Sequence, residues 1–289
     1  MIDTIVNQKI NQIHLYTKRL MQVNLLGNAR SSVKGTGIEF DQLRDYQIGD
    51  DVRALDWNSS ARMNKLLVKQ FIDEKRRTLI LALDISASSF FGSDKHIKYD
   101  VISHIAGIIS YAAYLSNDEV ALILFDSEVQ VYIPPAKGRS HTHLILKRIF
   151  SAKNGNSSTN INCMLEFVMR LRKKNAMLVL ISDFIDTELD SKINIVNRIY
   201  DLIAVRVNDA FEKYLPVNAL FTVRDFETDQ ECIIDSRNYI KNSLNIFLKD
   251  RLENQTKYFM NNNITVFDIK NSVVLLDQII HFFKTRSYR

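Results

Sequence analysis

Apolar runs and amphipathic segments alternate along the chain from residue 78 onward. Short, nearly continuous apolar runs are typical of parallel strands that are covered on both faces. Such runs lie at 78–84, 120–126, 176–182, 201–207 and 264–269. Segments with helical spacing of apolar residues lie between and around them, at about 95–117, 140–152, 160–174, 187–199, 236–262 and 272–285. This alternation predicts an α/β fold with a doubly wound, mostly parallel sheet of Rossmann-like type.

Two further segments interrupt the alternation. Residues 129–135 predict a short edge strand that ends at Pro134-Pro135, because proline cannot donate a ladder hydrogen bond. Residues 219–235 predict an inserted hairpin. If the strand order is 3-2-1-4-5-6, the edge strand is third, the run at 176–182 is fourth, and the first and fourth strands are neighbours at the switch point.

The first 77 residues have a different pattern of apolar and turn-forming residues. Apolar side chains at spacings of three and four over residues 2–26 predict an amphipathic helix that packs on its own domain. Residues 28–77 contain turn-forming Gly49-Asp50 and short β-prone pieces without a long helical period. We therefore divide the chain into a helix plus β-rich subdomain at 1–77 and an α/β domain at 78–289.

Composition excludes the common nucleotide-binding loops. Apolar residues make up 46% and charged residues 25% of the 289 residues, as in ordinary globular proteins. There are only 8 glycines, and neither a P-loop nor a G-x-G-x-x-G sequence occurs. The nearest approach, Gly35-Thr-Gly37, lacks the third glycine.

Charge and cysteine usage restrict partners and compartment. The formal net charge is +5, and its basic clusters at 75–77 and 172–174 are short, so we expect no nucleic-acid partner. No apolar stretch is long enough for a membrane span, and the N-terminus lacks a secretory pattern. Cys163 and Cys232 lack zinc-site or disulfide-framework spacing, so we expect a cytoplasmic protein.

Oxygen-bearing side chains cluster after the predicted strands. Asp84, Ser86 and Ser88 follow the first strand, hydroxyls occur at 157–159, and Asp183 follows the run at 176–182. In an open α/β sheet, ligands bind outside the carboxyl ends of strands at the switch point. Oxygen donors alone suit Mg²⁺ or Mn²⁺ rather than zinc, and an exchangeable water would leave room for an incoming carboxylate.

These residues resemble the metal-ion-dependent adhesion site of the von Willebrand factor A domain. In that family a D-x-S-x-S loop, a threonine from a second loop and an aspartate from a third hold the cation. By alignment, Thr159 is the threonine, with Ser158 as the alternative. The resemblance implies a site made of oxygen ligands on three loops: Asp84, Ser86, Ser88, Thr159 and Asp183.

The upstream segment GTGIEFDQLRDYQIGDDVRALDWNSSAR resembles the signature of the bacterial domain-of-unknown-function 58 family. Members of that family are commonly encoded beside MoxR-type AAA+ ATPases. The resemblance runs from about residue 35 to the C-terminus and implies a cytoplasmic adaptor for such an ATPase or its client. One departure is Ser89-Phe90-Phe91, which follows Ser88 where a small residue and methionine are common.

Three functional classes fit this pattern. The first is a non-enzymatic protein-binding adaptor in which a divalent cation, Mg²⁺ or Mn²⁺, captures an acidic residue of a partner. The second is a metal-dependent hydrolase of phosphoesterase type, which would need a general base that the sequence does not supply. The third is a metal-free scaffold. We predict the adaptor.

The charged residues of segment 44–62 allow two interpretations, a partner surface or internal ion pairs and caps. Dense alternating charge in turns usually serves local hydrogen bonding, which favours the second. Trp57 is expected to anchor a small core.

Overall fold

The computed structural model of the chain describes residues 6, 9–10, 13, 34–35, 39–72, 77–92, 97–153, 158–173, 176–185, 191–209, 220–224, 231–235, 240–269 and 278–279. The chain divides into two compact units. One is Gly27–Arg76, and the other joins Met1–Leu26 to Arg77–Arg289.

The smaller unit is a three-stranded antiparallel sheet with short helical turns. Its elements in chain order are β1 (Lys34–Gly35), β2 (Glu39–Asp45), a 3-10 turn (Val52–Ala54), α1 (Trp57–Met63) and β3 (Leu67–Ile72). The strand order is β1-β3-β2. Gly49 has a φ of 109°, a left-handed backbone conformation that favours glycine and allows the turn after β2.

The larger unit contains a sheet of six strands and a separate two-stranded hairpin. The strands are β4 (Thr78–Asp84), β5 (Glu119–Phe125), β6 (Val129–Ala136), β7 (Ala176–Ser182), β8 (Asp201–Val207), β9 (Leu220–Arg224), β10 (Glu231–Asp235) and β11 (Thr265–Ile269). The six-stranded sheet has the order β11-β8-β7-β4-β5-β6. This is the expected 3-2-1-4-5-6 arrangement, so the predicted α/β class and the adjacency of the first and fourth strands are confirmed.

Helices cover both faces of the six-stranded sheet. They are α2 (Lys98–Leu115), α3 (Arg139–Ser151), α4 (Ile161–Leu171), α5 (Lys192–Ile199) and α6 (Ile240–Asn261). One buried cluster packs α2 and α3 against the sheet, and a second packs α4, α5 and Phe259 of α6 against it. Because both faces are covered, every residue of β4 is buried, as its uninterrupted apolar pattern predicts.

The described positions of the N-terminal segment, residues 6, 9–10 and 13, are helical. Val6, Ile10 and Ile13 are buried against the larger unit. Gly107 of α2 makes room for this contact, since a Cβ there would lie 2.3 Å from Ile13 Cδ1. The segment therefore packs on the α/β unit, although the sequence-based division grouped it with the β-rich residues.

The edge of the sheet differs in detail from the sequence prediction. β6 pairs antiparallel with β5 and ends one residue beyond the predicted strand, at Ala136, so that both Pro134 and Pro135 lie within it. A register irregularity between β5 and β6 and the edge position make this possible, because an edge strand needs ladder donors on one side only. The predicted hairpin is present as β9 and β10, paired antiparallel. Most of the predicted helix at 272–285 lies outside the described residues.

Among the described helices, none combines the length and the apolar character needed to cross a bilayer.

Candidate functional site

Asp84 is the last residue of β4, at the carboxyl edge of the sheet, and its side chain is fully buried. One carboxylate oxygen accepts the backbone N–H of Ser86 at 2.9 Å. The other accepts the hydroxyl of Ser182 at 2.6 Å, from the end of neighbouring β7. The carboxylate therefore joins the loop after β4 to the loop after β7.

The two serines of the first loop lie together. The Oγ atoms of Ser86 and Ser88 are 3.1 Å apart. Ser86 is fully buried and precedes a 3-10 turn at Ala87–Phe90, whereas Ser88 is half-buried. The turn brings alternate hydroxyls to one side, as the D-x-S-x-S spacing predicts.

Asp183 follows β7 and is 1% exposed. Its Oδ1 accepts the backbone N–H of Ile185 at 3.1 Å. Phe184 has a φ of 56°, and its N–H donates to Ser182 Oγ at 3.1 Å, while Gln255 of α6 donates to the Phe184 carbonyl at 2.6 Å. This left-handed residue is thus fixed on both sides, and it holds Asp183 at the carboxyl edge.

A buried lysine lies at the same place. Lys98, the first residue of α2, is 3% exposed, and its Nζ is 2.6 Å from Asp183 Oδ2. Its backbone N–H donates to the Phe91 carbonyl at 2.8 Å, and its Nζ lies 6.0 Å from the centroid of the Phe91 ring. Phe90 stacks on Tyr99 at a centroid distance of 4.6 Å. The sequence departure after Ser88 therefore fixes the start of α2 against the first loop.

The pKa of Asp84 reflects its burial close to a second carboxylate. Burial, with repulsion from Asp183 as the second cause, raises the pKa of Asp84 to about 6. The hydrogen bonds from Ser182 and Ser86 oppose this rise because they stabilise the ionised form. Asp84 is therefore held in an environment where added positive charge is favourable.

Thr159 is near this edge but is not joined to the other four candidate ligands by any hydrogen bond among the described residues. It is half-buried and precedes Asn160, the N-cap of α4. The Asn160 N–H donates to the carbonyl of Asp126 at 2.8 Å, directly after β5. Since β5 pairs with β4, this bond brings the second loop to the carboxyl edge that holds Asp84.

The donor chemistry of this cluster suits a hard cation. Its side chains offer carboxylate and hydroxyl oxygens, the ligands preferred by Mg²⁺ and Mn²⁺. The adjacent Ser89 Oγ is buried without a hydrogen-bond partner in the described structure. No group of three or more His, Cys, Asp or Glu side chains able to hold a metal occurs among the described residues. The cluster is thus of the mixed carboxylate-hydroxyl kind and does not resemble an acid-rich site.

The charged segment 44–62 makes local contacts within the smaller unit. Arg44 binds Asp50 through two hydrogen bonds of 2.6 Å, which hold the pKa of Asp50 at about 2. Asp51 caps the 3-10 turn, and Asp56 caps α1 through the N–H groups of its first turn. For Arg44, Asp50, Asp51 and Asp56, these contacts confirm the interpretation as internal pairs and caps. The expectation for Trp57 is wrong, because its side chain is 65% exposed.

Sequence reasoning missed Lys98 and Ser182. Ser182 had no separate signal, since it reads as the last residue of a strand. Lys98 had a weak signal, because a cation in the first turn of a helix opposes the helix dipole and is stabilised by an acidic partner. The missing information was which carboxylate the start of α2 would meet.

Comparisons with known proteins place the chain by sequence. Residues 42–247 match the family described as "Protein of unknown function DUF58". An uncharacterized protein of Mycobacterium bovis is 26% identical over 178 residues, which cover 61% of this chain and 56% of the relative. Uncharacterized protein YeaD of Bacillus subtilis is 29% identical over 107 residues, covering 37% of this chain and 25% of the relative. The match thus spans about half the length of the mycobacterial relative. The crystal structure of a conserved hypothetical protein, BatB from Bacteroides thetaiotaomicron, aligns with a TM-score of 0.46 and 11% identity, covering 73% of this chain and 99% of that one.

Proposed function

Because the chain belongs to the DUF58 family of proteins of unknown function, we propose that it is a von Willebrand factor A-like binding adaptor that captures an acidic residue of a protein partner through a divalent cation. The proposed ligands are the five oxygen-bearing residues of the three loops: Asp84, Ser86, Ser88, Thr159 and Asp183. The proposed partner, a MoxR-type AAA+ ATPase or its client, comes from the family resemblance alone, as does the cytoplasmic location.

One observation carries the proposal. The loops after β4 and β7 are neighbours at the carboxyl edge of the sheet. They hold the two buried carboxylates of Asp84 and Asp183, and the first loop adds the hydroxyl groups of Ser86 and Ser88, whose Oγ atoms are 3.1 Å apart. Lys98 offsets only one of the two buried carboxylates, so a net charge of −1 remains, which a bound cation would compensate. Oxygen donors grouped in this way are expected where a protein holds Mg²⁺ or Mn²⁺.

The exposure of these residues supports a binding role. Asp84, Ser86 and Asp183 are buried, whereas Ser88 and Thr159 are half-buried and nearer to solvent. A bound divalent cation would supply a positive centre open to one carboxylate oxygen. A partner carboxylate would then reach the site from the side of Ser88 and Thr159.

The contacts of Asp84 favour binding over hydrolysis. A general base must reach the proton that it removes. Although the pKa of Asp84 is raised to about 6, both of its oxygens already accept hydrogen bonds, and the side chain is fully buried. Each oxygen keeps a second lone pair, so Asp84 would still serve a cation, directly or through water, while it fixes the two loops.

Calorimetric titration with Mg²⁺ and Mn²⁺ tests the proposal. Wild type is expected to bind one equivalent, and Asp84→Asn is expected to bind much more weakly, because it removes a charge at the centre of the cluster. The exposed Asp250 of α6 offers a matched control, since Asp250→Asn removes the same charge at a solvent-exposed position. Absence of metal binding to folded wild type would reject the adaptor mechanism.

The partner requires a separate experiment. Capture from the native host with wild type, with and without chelator, is expected to retain a MoxR-type ATPase or its client only when divalent metal is present. Asp84→Asn should lose the same protein. Metal-stimulated turnover in a phosphoesterase screen, abolished in Asp84→Asn, would instead favour the hydrolase.

A further inference from the structure

Lys98 brings a positive charge to the centre of the proposed site. Its Nζ contacts Asp183 Oδ2 at 2.6 Å, and both side chains are almost completely buried. Burial, and after it the negative charge of Asp183, raises the pKa of Asp84, so the two carboxylates interact with each other. These three side chains form a single electrostatic group, which we call the buried triad.

The position of Lys98 is fixed by more than its ion pair. Its backbone N–H donates a hydrogen bond to the Phe91 carbonyl, and its ammonium group lies over the Phe91 ring. The next residue, Tyr99, stacks on Phe90 and donates its hydroxyl to the Ile149 carbonyl at 2.8 Å. The first loop therefore fixes Lys98 at the start of α2, and its ammonium group is buried against that loop.

With both carboxylates ionised, the charges of the buried triad sum to −1. A divalent cation changes this sum to +1, and one partner carboxylate then brings it to zero. Without Lys98 the loaded site would already be neutral. A buried site is stable when its charges are compensated, so this difference decides whether an anion is attracted.

We propose that Lys98 makes the site selective for an acidic partner by lowering its affinity for the divalent cation and giving the loaded site a net positive charge. This inference rests on the proposed adaptor function. Lys98 acts here as a positioning and specificity-determining residue, since it holds Asp183 and sets the charge that the partner meets.

Substitution of Lys98 by glutamine tests the proposal, because the amide keeps a donor for Asp183 and removes the charge. Mn²⁺ affinity is measured by calorimetry at alkaline pH, in chloride and in acetate of equal ionic strength. For K98Q we expect Mn²⁺ affinity in chloride to rise by about tenfold or more, because one buried repulsion is removed. Acetate, the probe for a partner carboxylate, should strengthen Mn²⁺ binding by wild type and have little effect on K98Q. A purely structural lysine would not move these two readouts in opposite directions.

Lys173→Gln is the matched control. Lys173 pairs with Glu119 at 3.3 Å, at the start of β5 and hence at the opposite edge of the sheet. This variant should bind Mn²⁺ as wild type does and respond equally to acetate. Circular dichroism melts in chelator establish that each variant is folded.

If K98Q does not fold because Asp183 is left uncompensated, the double variant Lys98→Gln with Asp183→Asn replaces it. Its remaining Asp84 charge restores a net −1, so its weakened Mn²⁺ binding should again be enhanced by acetate. No enhancement in the folded double variant would overturn the inference.

The outcomes separate the inference from the proposed function. If wild type binds Mn²⁺ and folded K98Q binds it equally or more weakly, or K98Q keeps the full acetate enhancement, the inference fails and the adaptor proposal stands. If only K98Q binds, the wild-type site is never loaded with metal, so the inference fails together with the adaptor proposal. If neither folded protein binds, both fail.

Discussion

Replacing Asp84 by asparagine should stabilise the protein at neutral pH when divalent metal is absent. The wild-type carboxylate is fully buried, and its pKa is raised from 3.8 to about 6 by desolvation and by Asp183. A shift of one pKa unit corresponds to about 1.4 kcal/mol, so ionised Asp84 costs about 3 kcal/mol relative to an uncharged group. Asparagine removes this cost and keeps an oxygen for the Ser86 N–H.

One hydrogen bond opposes the gain. Ser182 donates to Asp84 at 2.6 Å, and an amide nitrogen at that position cannot accept this proton. A lost hydrogen bond of this kind costs about 1 kcal/mol. The net stabilisation of Asp84→Asn is then about 2 kcal/mol, which raises Tm by about 4–8 °C in a domain of this size.

The pH dependence distinguishes this cause from others. Because the pKa of Asp84 is higher in the folded than in the unfolded state, the folded state binds more protons between pH 6 and 3.8. The stabilising effect of protonation is complete below the unfolded value and is lost as pH rises through about 6. The advantage of Asp84→Asn over wild type should accordingly shrink as pH falls from neutrality toward 4.

Urea unfolding in chelator across this pH range measures the difference. Asp250→Asn, at an exposed position of α6, should follow wild type throughout. If Asp84→Asn is less stable than wild type at neutral pH, or if their difference does not vary with pH, the electrostatic reasoning is refuted. Under the adaptor proposal, Mg²⁺ should reverse the order of stability, since ligand at 100 times Kd adds about 2.7 kcal/mol to the protein that binds it.

Three further predictions concern packing and pairing, each measured as the change in free energy of unfolding. Trp57→Ala should change it by less than about 0.5 kcal/mol, because the ring is 65% exposed, and a larger loss would show a buried role. Ser60→Ala should cost about 1–2 kcal/mol, because the buried N–H of Leu67 loses its 2.9 Å bond to Ser60 Oγ; a neutral result would contradict this. Asp268→Ala should cost about 3 kcal/mol and Arg206→Met less, because the arginine side chain is 5% exposed and its partner 40%; the reverse order would show that burial does not govern this pair.

The α/β framework could be predicted because each parallel strand is apolar along its whole length. β4 is buried at every position, and its neighbours follow from the rule for strand order at a switch point. The same rule predicted that Asp84 and Asp183 follow adjacent strands. These inferences need only the periodicity of the chain and its winding direction, which are local or topological properties.

The burial of side chains was harder to predict in the smaller unit, which lacks a large core. Trp57 was expected to be buried because large aromatic side chains usually are. The smaller unit comprises only Gly27–Arg76, and a unit of this size buries a smaller fraction of its surface than a large domain does. Leu55, Leu67 and Val68 are its buried apolar residues among those described, while caps and ion pairs fix its turns. Composition alone does not show that hydrogen bonds, rather than an aromatic anchor, hold such a unit.

The position of Lys98 follows from the same topology that brings the carboxylates together. In a β-α-β crossover, the strand ends and the next helix begins at the same edge of the sheet. The first turn of α2 therefore returns to the edge where β4 and β7 end, and a long side chain there can reach Asp183. Ligand searches that consider only the residues after strands omit these helix starts. A cation at that position interacts unfavourably with the helix dipole, which is a weak indication of an acidic group across the crevice. For this chain the indication is met by Asp183, and the charge of the site depends on both.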